Sequence, residues 1–162
     1  MKKLYSKKTK NTGMGLFTAE PIKKGEYIFT VKGNIVKNKI QSQEDSSAWL
    51  YPNCIGINKS TWINPIPDNP LTYVNHSCNP NAGIKGSRKF YAIRDINSNE
   101  EITLDYSTSE VDIYWEMNCV CGEPNCRKII RSIQFLPKKT FEKYLPYIPS
   151  YFQKIYITYN KK

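Results

Sequence analysis

Five cysteines and a single histidine are the residues of this chain best suited to chemistry, and their spacing groups them. Cys119, Cys121 and Cys126 form C-x-C-x4-C, a thiol density that suits a tetrahedral metal better than a disulfide framework. A disulfide within C-x-C would close a strained ring, and no C-x-x-C exists to make a redox centre. Three thiolates ask for a fourth, and Cys78, in Asn75-His76-Ser77-Cys78-Asn79-Pro80-Asn81, is the natural supplier. The expectation is one zinc ion on Cys78, Cys119, Cys121 and Cys126, structural because four thiolates leave no open position for water. Such an ion would tie the polar asparagine–histidine segment to the C-terminal region. Cys54 is left over and reads as a small buried hydrophobe.

His76, alone of its kind, excludes a multi-histidine catalytic metal site. Ser77 beside it is no nucleophile–base pair, since adjacent residues on an extended chain point in opposite directions. Without further context, a satisfied structural histidine is the default. Between the two cysteine regions lies Glu100-Glu101-Ile102-Thr103-Leu104-Asp105-Tyr106, an acidic start to an alternating apolar run.

The elements that must position these groups are mainly β. Runs rich in Ile, Val, Phe, Tyr and Thr predict strands over Gly15–Ala19, Glu26–Val36, Cys54–Asn58, Phe90–Ile93 and Glu101–Tyr106. Phe17, Ile22, Glu26 and Ile28 recur at the offsets of Tyr91, Ile96, Glu100 and Ile102, a strand–turn–strand unit used twice, with bends at Lys24-Gly25 and Ser98-Asn99. Pro65, Pro67 and Pro70 mark residues 60–73 as an ordered loop that continues neither ladder nor helix. Apolar spacing predicts short helices over Lys138–Tyr144 and Ser150–Tyr159, separated by Pro146 and Pro149.

A length of 162 residues suits one domain with a core of its own. No apolar run approaches the roughly 18–20 residues that span a bilayer, and no membrane partner is expected. The basic N-terminus lacks the apolar segment of a secretory signal. With thiols arranged for metal, a reducing intracellular compartment is expected, while export as an effector stays open. The formal charge of +10 rests on 20 Lys and only four Arg. Two readings stand for it: scattered solvated lysine, or a surface for a polyanion or nucleic acid, for which arginine would be the more usual reader.

Taken together, Gly13-Met14-Gly15, Asn75–Asn81, Glu100–Tyr106 and Cys119-x-Cys121-x4-Cys126-Arg127 resemble the SET-domain protein lysine methyltransferases. Order and separation match that family's G-x-G, N-H-S-C-x-P-N, E-E-[LI]-T-x-D-Y and post-SET segments over roughly residues 5–127. The resemblance implies a SET-domain fold of short sheets with a threaded C-terminal segment (a pseudoknot), a zinc-bound post-SET loop and, here, short C-terminal helices. It divides the chain into a SET domain (1–107), a post-SET zinc segment (108–127) and a helical extension (128–162) packed on the same domain. It also implies S-adenosyl-L-methionine as cofactor and a lysine-containing protein as substrate. Tyr106 would be the catalytic tyrosine and touch the cofactor. Thr12, Gly13, Met14, Asn75 and His76 would bind the cofactor, and Trp115 would close over its adenine. Tyr73 and Tyr91 are candidates for the cofactor site and the substrate channel, or plain core aromatics.

Two positions depart from the family's pattern. Leu104 stands where Phe or Tyr is usual, and Val31 where a channel tyrosine is usual, so both remove hydroxyls from the channel that Val31, Tyr91 and Leu104 would line. The cysteine-rich region that precedes the SET domain in some histone-directed members is not expected here, so histone specificity is not assumed. The competing reading is a non-catalytic, zinc-stabilised basic module that binds nucleic acid or chromatin. A scaffold that has lost turnover is a third.

Overall fold

The computed structural model describes residues 2–37, 54–58 and 60–161, so residues 38–53 of the expected SET region lie outside the described residues. In chain order the strands are β1 (Leu4–Lys8), β2 (Met14–Thr18), β3 (Tyr27–Thr30), β4 (Gly33–Lys37), β5 (Ile55–Asn58) and β6 (Thr61–Pro65). They continue with β7 (Asn75–His76), β8 (Ala82–Lys85), β9 (Lys89–Ala92), β10 (Glu101–Leu104), β11 (Glu116–Asn118) and β12 (Ile129–Arg131). Two helices follow, α1 (Lys138–Tyr144) and α2 (Ser150–Tyr159), at the bounds their apolar spacing predicts. Each strand is too short to bury a face alone. They are therefore gathered into small sheets of order β1-β2-β10-β7, β3-β9-β8, β4-β6-β5 and β11-β12.

The first sheet positions the site. β10 runs antiparallel to β2, with Ile102 opposite Leu16, and parallel to β7, with Thr103 opposite Asn75 and Leu104 opposite His76. The segment that ends in Asp105-Tyr106 thus passes between two strands laid down earlier and lies beside Asn75-His76. The Asn81 side chain fastens it in place, donating to the Glu101 carbonyl at 2.7 Å and accepting from the Thr103 N–H at 2.9 Å.

The repeated unit is a pair. Ile22 and Ile96 exchange two backbone hydrogen bonds, 2.9 and 2.8 Å, so the copies face each other across a local two-fold. In each copy the glutamate caps the turn that precedes it: Glu26 accepts from the Lys23 N–H at 2.7 Å and Glu100 from the Asn97 N–H at 2.9 Å. The bends need positive φ, which Gly25 (86°) supplies without strain and Asn99 (63°) tolerates.

Two expectations are corrected. Glu26–Val36 is two strands, because the chain leaves β3 after Thr30 and Gly33 then meets the Asn64 backbone in a different sheet, where a Cβ would collide. The stretch 60–73 is not all loop. Thr61–Pro65 is the central strand of β4-β6-β5, driven by fully buried Trp62 and Ile63, and the first proline sits only at its last position. Proline is tolerated there because the ladder ends with it.

One apolar cluster fills the space between the sheets and includes Leu16, Ile28, Val31, Ile63, Phe90, Ile102 and Leu104. A second joins Val111 and Ile133 to Phe141, Tyr144, Phe152 and Tyr156 of the helices. The helical segment grips the main body at points where a side chain is missing: Phe152 lies against Gly56 and Tyr147 against Gly83. Tyr144 Oη donates to the Cys78 carbonyl at 3.2 Å, so α1 backs the asparagine–histidine segment directly.

Candidate active site and thiol cluster

A polar cleft of about 270 Å³ opens between the β1–β2 loop, β7, β10 and the cysteine-rich loop. Of the expected cofactor residues, Thr12, Asn75 and His76 line it, together with Thr9, Arg94, Glu101 and Glu123. The β1–β2 loop is held open by Thr9, whose hydroxyl meets the Thr12 hydroxyl at 2.9 Å and donates to the Gly13 carbonyl at 3.1 Å. Gly13 has φ 79°, a conformation that L side chains rarely adopt. Gly15 has a different task. A Cβ there would strike Thr9 and the Glu101 carboxylate, so its absence lets both approach the strand. Met14 contributes through its carbonyl, which accepts from Asn75 Nδ2 at 3.1 Å.

Behind the cleft wall at His76 stands Tyr106, edge to face with it, ring centroids 5.4 Å apart. The Tyr106 N–H donates to His76 Nδ1 at 3.2 Å, so the other nitrogen carries the proton and Nε2–H points at Cys78 Sγ, 3.3 Å away. Burial, aided by the Arg127 charge, pushes the His76 pKa down to about 3, so the ring is neutral. Tyr106 Oη donates to the Val74 carbonyl at 2.7 Å. Its pKa is pushed up to about 12 by burial and then by the Glu101 charge, so it stays a phenol at neutral pH and does not serve as a base.

The thiols come together as their spacing suggests. Ligand atoms of His76, Cys78, Cys119 and Cys121 lie within 4.8 Å of one another. Cys126 is at the margin of this group, its Sγ donating to the Cys119 carbonyl at 3.8 Å, and it packs in the same cluster with Ile130, Trp115 and Tyr106. Burial raises the Cys78 and Cys119 pKa values, whereas Cys121 is lowered: burial opposes the shift, but backbone hydrogen bonds from Cys78 and Glu123 outweigh it. The Arg127 N–H also donates to Cys78 Sγ at 3.4 Å. A set of soft donors in one half-buried place, with N–H groups aimed at a sulfur, is the donor chemistry of a zinc site. Cys54 stands apart, half-buried, with its pKa raised to about 11 by burial and then by Glu110.

Under the cluster lies Asp105, almost wholly buried, whose Oδ1 accepts from Arg127 at 2.6 Å and from the Ser107 N–H at 3.1 Å. Its Oδ2 has no hydrogen-bond partner among the described residues. Burial raises the Asp105 pKa, and Arg127 opposes the shift. This pair locks the cysteine loop to the Asp105-Tyr106 segment. Sequence reasoning did not single it out, although Arg127 follows Cys126 directly. Glu101, inside the Glu100–Tyr106 motif, and Arg94, a few residues before it, were not singled out as cleft residues either.

The residues expected to line a substrate channel divide. Val31 and Leu104 are buried in one apolar cluster against which Tyr73 and Tyr106 pack. Tyr91 lies elsewhere, on the outer face of β9, edge-on to Tyr27 at 5.7 Å and under the Lys85 ammonium at 5.1 Å.

Strands that flank a threaded segment, a polar cleft at their ends and a thiol cluster beside it define a SET-like methyltransferase fold. Residues 13–107 match the SET domain, and the chain belongs to that family. It is 32% identical over 142 residues to the variant-silencing SET domain-containing protein of Plasmodium falciparum, covering 78% of this chain and 6% of that one. It is 30% identical over 130 residues to a histone-lysine N-methyltransferase, H3 lysine-4 specific, of Eremothecium gossypii, covering 70% of this chain and 13% of that one. Among solved structures, the methyltransferase domain of human histone-lysine N-methyltransferase SETMAR superposes with a TM-score of 0.58 at 21% identity, covering 82% of this chain and 59% of that one. The chain thus spans only a small part of the curated relatives it matches.

Proposed function

We propose that the chain transfers a methyl group from S-adenosyl-L-methionine to the ε-amine of a lysine in a protein substrate. One observation carries this reading: Tyr106 joins the polar cleft, through His76, to the apolar cluster that contains Val31, Leu104 and Tyr73. A polar ligand on one side and an aliphatic side chain on the other would meet at its hydroxyl. The donor set of the cleft fits the cofactor, since Thr12 and Asn75 offer a hydroxyl and an amide oxygen beside His76 and a strand held bare at Gly15. The cofactor supplies an electrophilic methyl on sulfur. The protein's part is alignment and exclusion of water, which accounts for large rate gains without acid–base chemistry. Tyr106, fixed through its hydroxyl proton to Val74, keeps oxygen lone pairs for weak C–H···O contacts with a polarised methyl. An apolar channel would favour the neutral amine that the displacement requires.

Zinc would be held by Cys78, Cys119, Cys121 and Cys126, with His76 as a hydrogen-bond donor to Cys78 in place of a ligand, because its Nδ1 is already taken by Tyr106. Trp115, packed on the thiol cluster beside Tyr106, would close the cofactor site. A reducing intracellular compartment suits these thiols. Relatives named for histone H3 lysine-4 make a histone one substrate to try.

Incubation with labelled cofactor and whole lysates or histones tests the proposal: a discrete labelled protein supports it. Cofactor binding by calorimetry separates it from the non-catalytic reading, under which none occurs. A polyanion contact is favoured at the β8–β9 hairpin, where Lys85 faces Lys89 across the strands with Arg88 in the turn. None of the three has an ion pair among the described residues. Alanine at all three should weaken binding to duplex DNA by at least about tenfold at low salt and flatten its salt dependence. Unchanged binding would leave the lysines as a solvated surface.

A further inference from the structure

The cleft contains a carboxylate whose charge is unused. Glu101 opens β10, and its Oε1 accepts from Asn75 Nδ2 at 2.7 Å. The same nitrogen donates to the Met14 carbonyl at 3.1 Å. An amide nitrogen has two hydrogens, so both are consumed, and Asn75 must present its Oδ1 as a pure acceptor. The cations nearest in chemistry are engaged elsewhere: Arg94 with Glu100 at 2.6 Å and Arg127 with Asp105 at 2.6 Å. Lys10 lines the cleft but forms no ion pair with Glu101. Gly15 clears the space that the Glu101 carboxylate occupies against β2. A half-buried carboxylate without a counter-ion among the described residues, beside an amide oxygen fixed as an acceptor, is rich in lone pairs and poor in donors. Its complement is a small cation with several N–H groups.

We infer that Glu101 and Asn75 form an ammonium-recognition corner, in which Glu101 both fixes the Asn75 amide and supplies the counter-charge for the α-ammonium of the cofactor. The inference rests on the cofactor reading proposed above. It separates two contributions of one side chain. Glutamine at 101 still offers an oxygen to Asn75 but removes the charge; alanine removes both.

The test is calorimetry on the zinc-loaded full chain with two ligands: S-adenosylhomocysteine, and its analogue lacking only the α-amino group. For the wild type, loss of the amino group should weaken binding at least about tenfold, the range of one charge-assisted hydrogen bond. Glu101→Gln should weaken S-adenosylhomocysteine by a similar factor and leave the desamino analogue within about twofold of wild type. Glu101→Ala should weaken S-adenosylhomocysteine further, because Asn75 is then free to turn. Wild-type affinity of Glu101→Gln for S-adenosylhomocysteine overturns the charge assignment whatever the alanine variant does. Equal weakening of both ligands overturns it too, by showing general damage to the cleft. If the wild type binds neither ligand, the cofactor reading itself fails and this inference falls with it.

Discussion

Replacing Arg127 by methionine keeps much of its apolar stem but removes the only cation that pairs with Asp105 among the described residues, apart from neutral His76. The bridge is 2.6 Å long and the carboxylate is 1% exposed. Oδ2 already lacks a partner among the described residues, so the orphaned charge would keep the Ser107 N–H at 3.1 Å and the nearby Ser107 and Tyr144 hydroxyls but no cation. His76, 3.8 Å away, is held neutral first by burial, a cause that the substitution leaves in place, so it is a poor substitute cation. Breaking one side of a buried pair costs about 3–5 kcal/mol. For a chain of this size that is a fall in melting temperature of roughly 10 °C. The orphan charge, and not lost packing, should dominate. Asp105→Asn in the Arg127→Met background should therefore recover more than half of the loss, with a coupling of at least about 1.5 kcal/mol between the sites. Thermal and urea unfolding of wild type, both single variants and the double variant, all in excess zinc, measure this. A loss under about 1 kcal/mol in Arg127→Met, the size of an exposed pair, would refute the reasoning.

Elemental analysis should find one zinc per chain, lost on serine substitution of Cys78, Cys119, Cys121 or Cys126 and retained by Cys54→Ser. His76→Ala should keep the ion with about 10–100-fold lower affinity; complete loss would make the histidine a ligand. At long reaction times the product should be di- or trimethyl-lysine, because Val31 and Leu104 place no hydroxyl beside Tyr106, and Leu104→Tyr should shift output toward monomethyl-lysine. Mass spectrometry of a processed peptide decides this, and a wild type that stops at one methyl contradicts the reading of Leu104. Since Leu104 is fully buried, its replacement by tyrosine should also cost about 1–3 kcal/mol of stability from overpacking.

The thiol cluster was more legible than the individual strands around it. Cysteine spacing announces the thiol cluster because metal chemistry fixes ligand type and separation within a loop, and the repeat announces the two strand–turn–strand units, although not that Ile22 and Ile96 pair. Helix bounds at 138–144 and 150–159 were legible because prolines frame a 3.6-residue apolar period. Strands were harder. Thr61–Pro65 was hidden by prolines that lie almost wholly beyond its end, and β1 is an edge strand whose lysines mask its pattern. Glu26–Val36 reads as one strand only when the local break at Lys32-Gly33-Asn34, where the sheet changes, is passed over. Tyr91 takes the outer face of β9 by alternation, and its contact with Tyr27 on the neighbouring strand comes from far away in sequence, which local pattern does not encode. Asp105, Arg127 and Glu101 owe their importance to long-range pairing, which spacing does not encode.

The central claim is that methyl transfer occurs at Tyr106. Its most direct measurement is a single-turnover assay with labelled S-adenosyl-L-methionine and a substrate identified from lysate, read by mass spectrometry at the modified lysine, for wild type and Tyr106→Phe. The account predicts a methylated lysine with wild type, and a rate at least about a hundredfold lower in the variant, as expected for lost alignment, with S-adenosylhomocysteine affinity nearly unchanged. Near wild-type turnover by Tyr106→Phe would contradict it.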